Sequence, residues 1–96
     1  MKIQQEAIAG TLESSDLLVK VCPHQGLEIV INSEVNKQFG RQIALVVKNT
    51  LNNLQLTDGL IIIDDKGALD CAIKARVQCA VLRGAQQSTL NWSHIL

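Results

Sequence analysis

The sequence predicts an α+β domain of two layers, in which a small sheet containing a β-hairpin carries two helices on one of its faces. Three observations support that reading. Apolar residues alternate on both sides of a turn between Leu17 and Ile31, they recur at steps of three and four from Val35 to Leu54, and a short apolar run from Leu60 to Ile63 is bounded by turn residues. The expected order is ββαβα, with a further edge strand ahead of the hairpin.

That edge strand is read from Ile3 to Leu12, where Ala7, Ala9 and Thr11 oppose Ile8, Gly10 and Leu12. In the hairpin, Leu17, Val19 and Val21 alternate, as do Leu27, Ile29 and Ile31, and "PHQG" places Pro23 and Gly26 where a type I turn prefers them. Asn32 and Ser33 are N-cap candidates for the first helix. Its inner face holds Val35, Phe39, Ile43, Val46, Val47, Leu51 and Leu54, and its outer face Lys37, Arg41, Lys48 and Asn52. Within "TDGLIIIDDKG", the run Leu60 to Ile63 has the unbroken apolarity of a strand buried on both faces. The second helix is predicted from Gly67 or Ala68 to about Arg83 and Gly84, with Leu69, Ala72, Ile73, Val77, Ala80 and Val81 facing inward. Residues 87–96 have no period and read as an irregular tail to a single domain spanning 1–96.

Apolar residues are 47% of the 96 and charged residues 19%, the balance of a packed globule. Formal charge is zero, and Phe39 and Trp92 are the only aromatics, so both the basic footprint and the stacking platform of a nucleic-acid binder are missing. No segment approaches the roughly 20 apolar residues of a membrane span, nor does the N-terminus read as a leader, so a cytoplasmic protein is expected. Cys22, Cys71 and Cys79 are odd in number and show no CxxC spacing. On one helix, Cys71 and Cys79 would lie about 12 Å apart along its axis, too far for a disulfide. All three read as small packing residues.

Catalytic groups are scarce. His24, in the turn, and His94, in the tail, have no neighbour that would complete a triad. Asp64 and Asp65 resemble an acid-base or metal pair only on paper, because adjacent residues at a strand end point apart and serve as caps. Gly59 and Gly67 form no phosphate-cradling fingerprint. The remaining feature is "GTLESSDLLVKV", where Glu13, Ser14, Ser15 and Asp16 precede a strand. These four residues are either ordinary turn chemistry, or the site of an exposed hydroxyl to which something is attached. In an extended segment, one serine would cap or pack while its neighbour faced water.

"AGTLESSDLLVKV", "FGRQI" and "DDKGALDCAIKARVQCAVLR" together resemble the citrate lyase gamma subunits, the acyl carrier proteins of that complex. The match runs from the start through most of the second helix. The resemblance implies that Ser14 is linked through its oxygen to phosphoribosyl-dephospho-coenzyme A by a dedicated transferase. It further implies a non-catalytic arm serving an alpha subunit, which exchanges acetyl for citryl, and a beta subunit, which cleaves the citryl thioester to oxaloacetate. Glu13, Ser15 and Asp16 flank that anchor. The helical-bundle fold of common acyl carriers is not expected, because their serine lies in an Asp-Ser-Leu motif, whereas here "SDLL" reverses the order and leads into a strand. Two other classes compete with a carrier: a small adaptor that binds a partner without a prosthetic group, and a thiol enzyme using Cys71 or Cys79. The latter is disfavoured by the apolar helix face on which those cysteines are expected.

Overall fold

The computed structural model describes residues 1–33 and 40–85. Its elements are β1 (Ala7–Gly10), β2 (Leu17–Cys22), β3 (Leu27–Ser33), α1 (Gly40–Asn53), β4 (Gly59–Asp65) and α2 (Asp70–Ala85). Val35, Lys37, Phe39 and the tail with Trp92 and His94 lie outside the described residues. The fold is α+β in two layers, as expected, but the sheet order is β1-β2-β4-β3. The expected hairpin from Leu17 to Ile31 therefore does not form. β4 lies between its two arms, antiparallel to β2 and parallel to β3. The hairpin of the sheet is β1 with β2, and the segment carrying Ser14 is its tip.

Register explains which side chains meet. On the helix side, Ala9, Val19, Ile63 and Ile31 form one row across the sheet, and Ala7, Val21, Ile61 and Ile29 form the next. Val19, Val21, Ile61 and Ile63 are fully buried beneath Ile43, Val47 and Leu51 of α1 and Ile73, Val77, Ala80 and Val81 of α2. The alanines of β1 fit because α2 passes over that side of the sheet. Ala80 of α2 is buried, and a Cβ on Gly84 would approach Val21 Cγ2 to 2.6 Å.

The opposite face is open. Ile8 and Val30 are exposed there, with Lys20 and Ile62 in the same row. β4 is thus buried on one face and half-buried on the other, where burial on both was expected, because both helices pack on the same side. The edge strand is shorter than predicted. Ile3 does not pair within the sheet but is buried beside Gly59, its amide donating to Asp58 O at 2.9 Å.

Three further expectations are corrected. Asn32 and Ser33 end β3 instead of capping α1, since both continue its parallel register with Asp64 and Asp65. Leu69 precedes α2 and is exposed, because the chain is still turning there. The thiols are not core residues: Cys71 is exposed on the first turn of α2, Cys22 is half-buried on the open face, and Cys79 is half-buried against the core. No described helix is long and apolar enough to cross a membrane.

Candidate functional site

The hairpin tip is built by local chemistry. Gly10 has φ +94, and a Cβ there would collide with the carbonyl oxygen of Leu17. Only glycine lets the two strands approach so closely as they leave the ladder. Thr11 N then donates to Leu17 O at 3.1 Å, closing the base of the tip. Asp16 N donates to Glu13 O at 3.2 Å, and Ser15 has φ +65. A positive φ only at the third residue is the pattern of a type II turn, which places Ser14 at its first corner. The segment is therefore a closed turn instead of an extended stretch, and Ser14 and Ser15 are both exposed.

The turn is tied by backbone hydrogen bonds to the sheet beneath it. Ser15 N donates to Lys66 O at 2.9 Å, and Lys66 N to Asp16 O at 2.9 Å, which prolongs the β2 and β4 pairing past the ends of both strands. Asp16 is the hub. Its carboxylate accepts from Thr11 Oγ1 at 2.8 Å, from the Leu17 amide at 2.8 Å, and from Arg76 Nε and Nη2 at 3.3 and 3.2 Å. Thr11 Oγ1 in turn accepts from Glu13 N at 3.2 Å. The Thr11 hydroxyl first and then the Leu17 amide hold the Asp16 carboxyl below its ordinary 3.8, against an opposing effect of burial, with the Arg76 guanidinium adding the least.

The structure thus brings Glu13, Ser14, Ser15 and Asp16 together on one exposed turn and gives them different parts. Two contributors were missed in the sequence, Thr11 and Arg76. Threonine near a turn carries a weak signal, as a side chain able to bond nearby backbone. Arg76 carries none, being 60 residues from its partner.

The other polar candidates are structural. Asp65 is buried, and its carboxylate accepts from Ser33 Oγ at 3.0 Å and from the amides of Gly67 and Ala68 at 3.1 and 3.0 Å, which caps the entry to α2 as anticipated. Asp64 points to the open face and meets Asn32 Nδ2 at 3.3 Å. His24 lies at the other end of the sheet, its Nε2 3.3 Å from Glu28. Cys71 and Cys79 lie eight residues apart on α2, with no histidine on that helix.

Comparison with known proteins then identifies the family. A sequence model of the family described as Malonate decarboxylase delta subunit (MdcD) matches residues 4–84. The citrate lyase acyl carrier protein of Enterobacter sp. (strain 638) is 62% identical over 94 residues, covering 97% of each chain. That of Pectobacterium atrosepticum is 59% identical, covering 99% of this chain and all of its own, and that of Albidiferax ferrireducens is 54% identical, covering 99% of each. A chain in the crystal structure of a Pseudomonas malonate decarboxylase hetero-tetramer in complex with malonate has the same fold, with a TM-score of 0.74 over 86% of this chain and 87% of that one, at 24% identity. A sheet hairpin with its serine-bearing tip, two helices on one face and relatives of this identity along the whole chain lead to one conclusion: the chain belongs to the citrate lyase acyl carrier protein family.

Proposed function

We propose that this chain is the non-catalytic acyl carrier subunit of a cytoplasmic citrate lyase, with Ser14 as the covalent anchor of phosphoribosyl-dephospho-coenzyme A. The observation that carries the proposal is the placement of Ser14. It is an exposed hydroxyl on the corner of a turn whose flanking residues are tied to the sheet and to α2, in a chain whose relatives are named acyl carriers. The residues present fit such a group. A primary alcohol at a turn corner can be approached from solvent, and Glu13, Ser15 and Asp16 are committed through their backbone or carboxylate to holding the turn.

Loading forms a bond from Ser14 Oγ to the phosphorus of an activated phosphoanhydride donor. The bond from that phosphorus to the donor's leaving phosphate breaks, and the electron pair leaves with it. The hydroxyl proton needs a base. The Asp16 carboxylate is already engaged by Thr11, Leu17 and Arg76, so this reading assigns the base to the transferase. Once attached, the group supplies a thiol whose acyl thioester makes an adjacent carbon more acidic than a carboxylate would. The chain's own part is to hold the anchor at high local concentration near the alpha and beta subunits.

Co-expression with the transferase, followed by intact-mass and peptide mass spectrometry, tests the reading. The expected result is a single mass gain on Ser14, absent without the transferase. Ser14→Ala should fold normally, an exposed hydroxyl being worth within about 0.5 kcal/mol, yet leave the assembled complex without lyase activity. Modification on Ser15, or full activity from Ser14→Ala, would overturn the assignment. A chain that binds the larger subunits but gains no mass would be an adaptor.

A further inference from the structure

We infer that Arg76 is a positioning residue for the loading of Ser14, acting through Asp16 to hold the hairpin tip in the geometry that the transferase uses; the inference rests on the carrier reading above. Arg76 lies in the second turn of α2 and reaches across the end of β1. Its stem packs beside Gly10, where a Cβ would lie 3.4 Å from Arg76 Cδ, at van der Waals contact. Its guanidinium then meets both oxygens of Asp16, Nε with Oδ1 and Nη2 with Oδ2. A planar fork on a carboxylate fixes direction as well as distance, which a lysine ammonium cannot do.

From Asp16 the constraint runs to both sides of the anchor. Through Thr11 Oγ1 it reaches the Glu13 amide, before Ser14, and through the Asp16 backbone and Lys66 it joins the contact that holds Ser15, after Ser14. Ser14 is the one residue of the turn from Glu13 to Asp16 that takes no hydrogen bond in this arrangement, so its orientation is set by what grips its neighbours.

Stability alone does not account for the pair. The aspartate side chain is half-buried at 18% exposed, but its arginine partner is 44% exposed, and a pair with one partner so open to water contributes modestly to folding. A second arginine makes the contrast. Arg83, two turns further along α2, donates Nη1 to Ile8 O at 2.8 Å and so grips the same hairpin in β1, away from the tip. The two residues share a helix and a hairpin, and differ in whether Ser14 is at the end of the contact.

The experiment compares transferase kinetics on apo carrier chains: wild type, Arg76→Ala, Arg76→Lys, Arg83→Ala and Asp16→Asn. Folded fraction is checked by circular dichroism, and tip order by the heteronuclear NOE of the Ser14 and Ser15 amides. Arg76→Ala should lower kcat by about tenfold to a hundredfold with KM within about twofold, since a misplaced nucleophile costs chemistry more than docking. Lysine should rescue part of the loss, Asp16→Asn should reproduce it, and Arg83→Ala should load as wild type does. The amide NOE should fall in Arg76→Ala and not in Arg83→Ala. Wild-type kcat from folded Arg76→Ala, or an equal loss in Arg83→Ala, would overturn the role. If Arg76→Ala does not fold, Arg76→Lys and Asp16→Asn decide, and wild-type kcat in both overturns it. A wild-type chain that stays unloaded sinks the carrier reading and this inference with it, whereas a loaded wild type beside an equally fast Arg76→Ala sinks only the positioning role.

Discussion

Asp64 and Asp65 are neighbours of identical chemistry, and the structure assigns them very different worth. Asp65 is 1% exposed, and its two oxygens accept from Ser33 Oγ, Gly67 N and Ala68 N, all within 3.1 Å. Alanine there leaves the Gly67 and Ala68 amides at the entry to α2 without this acceptor and removes the contact from Ser33 Oγ. The amides are half-buried, so water recovers part of the loss. Taking each orphaned donor at the low end of about 1–3 kcal/mol, with the lost cap included, Asp65→Ala should cost about 2–4 kcal/mol. Asp64→Ala removes a single 3.3 Å contact on the open face and should cost within about 0.5 kcal/mol. Urea unfolding followed at 222 nm reads both. With a slope of about 1 kcal/mol per molar for a chain of this size, the Asp65→Ala midpoint should fall by about 2 M or more. Asp65→Asn, which keeps an acceptor on one side only, should lie between. Equal midpoints for the two alanine variants would refute the assignment of Asp65 as the buried cap.

Ile63→Ala should cost about 2–5 kcal/mol, because its side chain is fully buried, whereas Ile62→Ala on the half-exposed face should cost about 1 kcal/mol; chemical denaturation of the pair gives the difference directly. Ile43→Asp should unfold the domain by placing an unpaired carboxylate under α1, and Lys48→Asp on the exposed side of that helix should leave the melting temperature almost unchanged. Gly10→Ala forces a side chain into a positive φ against Leu17, which should lower stability by about 1–2 kcal/mol or more and disturb the amide signals of the tip. The pH response of the tip has a definite sign. The Asp16 carboxyl is held below 3.8 in the fold, so its contribution is complete above that value and is lost as pH falls through the lower, folded one. Titrating from pH 7 to 4.5 should therefore leave the Thr11 to Leu17 amide signals in place, with movement only at more acid values.

Local order was legible in the sequence because it is local. The alternation through Leu17, Val19 and Val21 marks the buried side of β2, and the steps through Ile43, Val47 and Leu51 give the inner face of α1. Alternation specifies the face of a strand but not the strand beside it, which is why "PHQG" has the pattern of a hairpin turn although β4 lies between the segments it joins. The mixed burial of β4 was hidden for a related reason: Leu60 to Ile63 are apolar on both sides, although helices cover only one. At the candidate site, glutamate, two serines and aspartate read correctly as turn formers. The closed turn, the left-handed Ser15 and the grip of Arg76 all depend on Lys66 and α2, which reach the tip only in the folded chain.

The position of β4 also sets the order in which the molecule can be made. Every residue of β3 pairs with one 32 positions later, from Leu27 with Gly59 to Ser33 with Asp65, and β2 reaches further still, from Leu17 to Asp65. A nascent chain that has emerged only as far as Thr57 holds β2 and β3 without the β4 that lies between them, and its β1 and β2 hairpin lacks both Lys66 and α2. Such long loop closures slow folding relative to a chain whose strands pair in sequence. The serine turn consequently has its full set of contacts only once Lys66 and Arg76, 50 and 60 residues beyond Asp16, have been synthesised and docked against it.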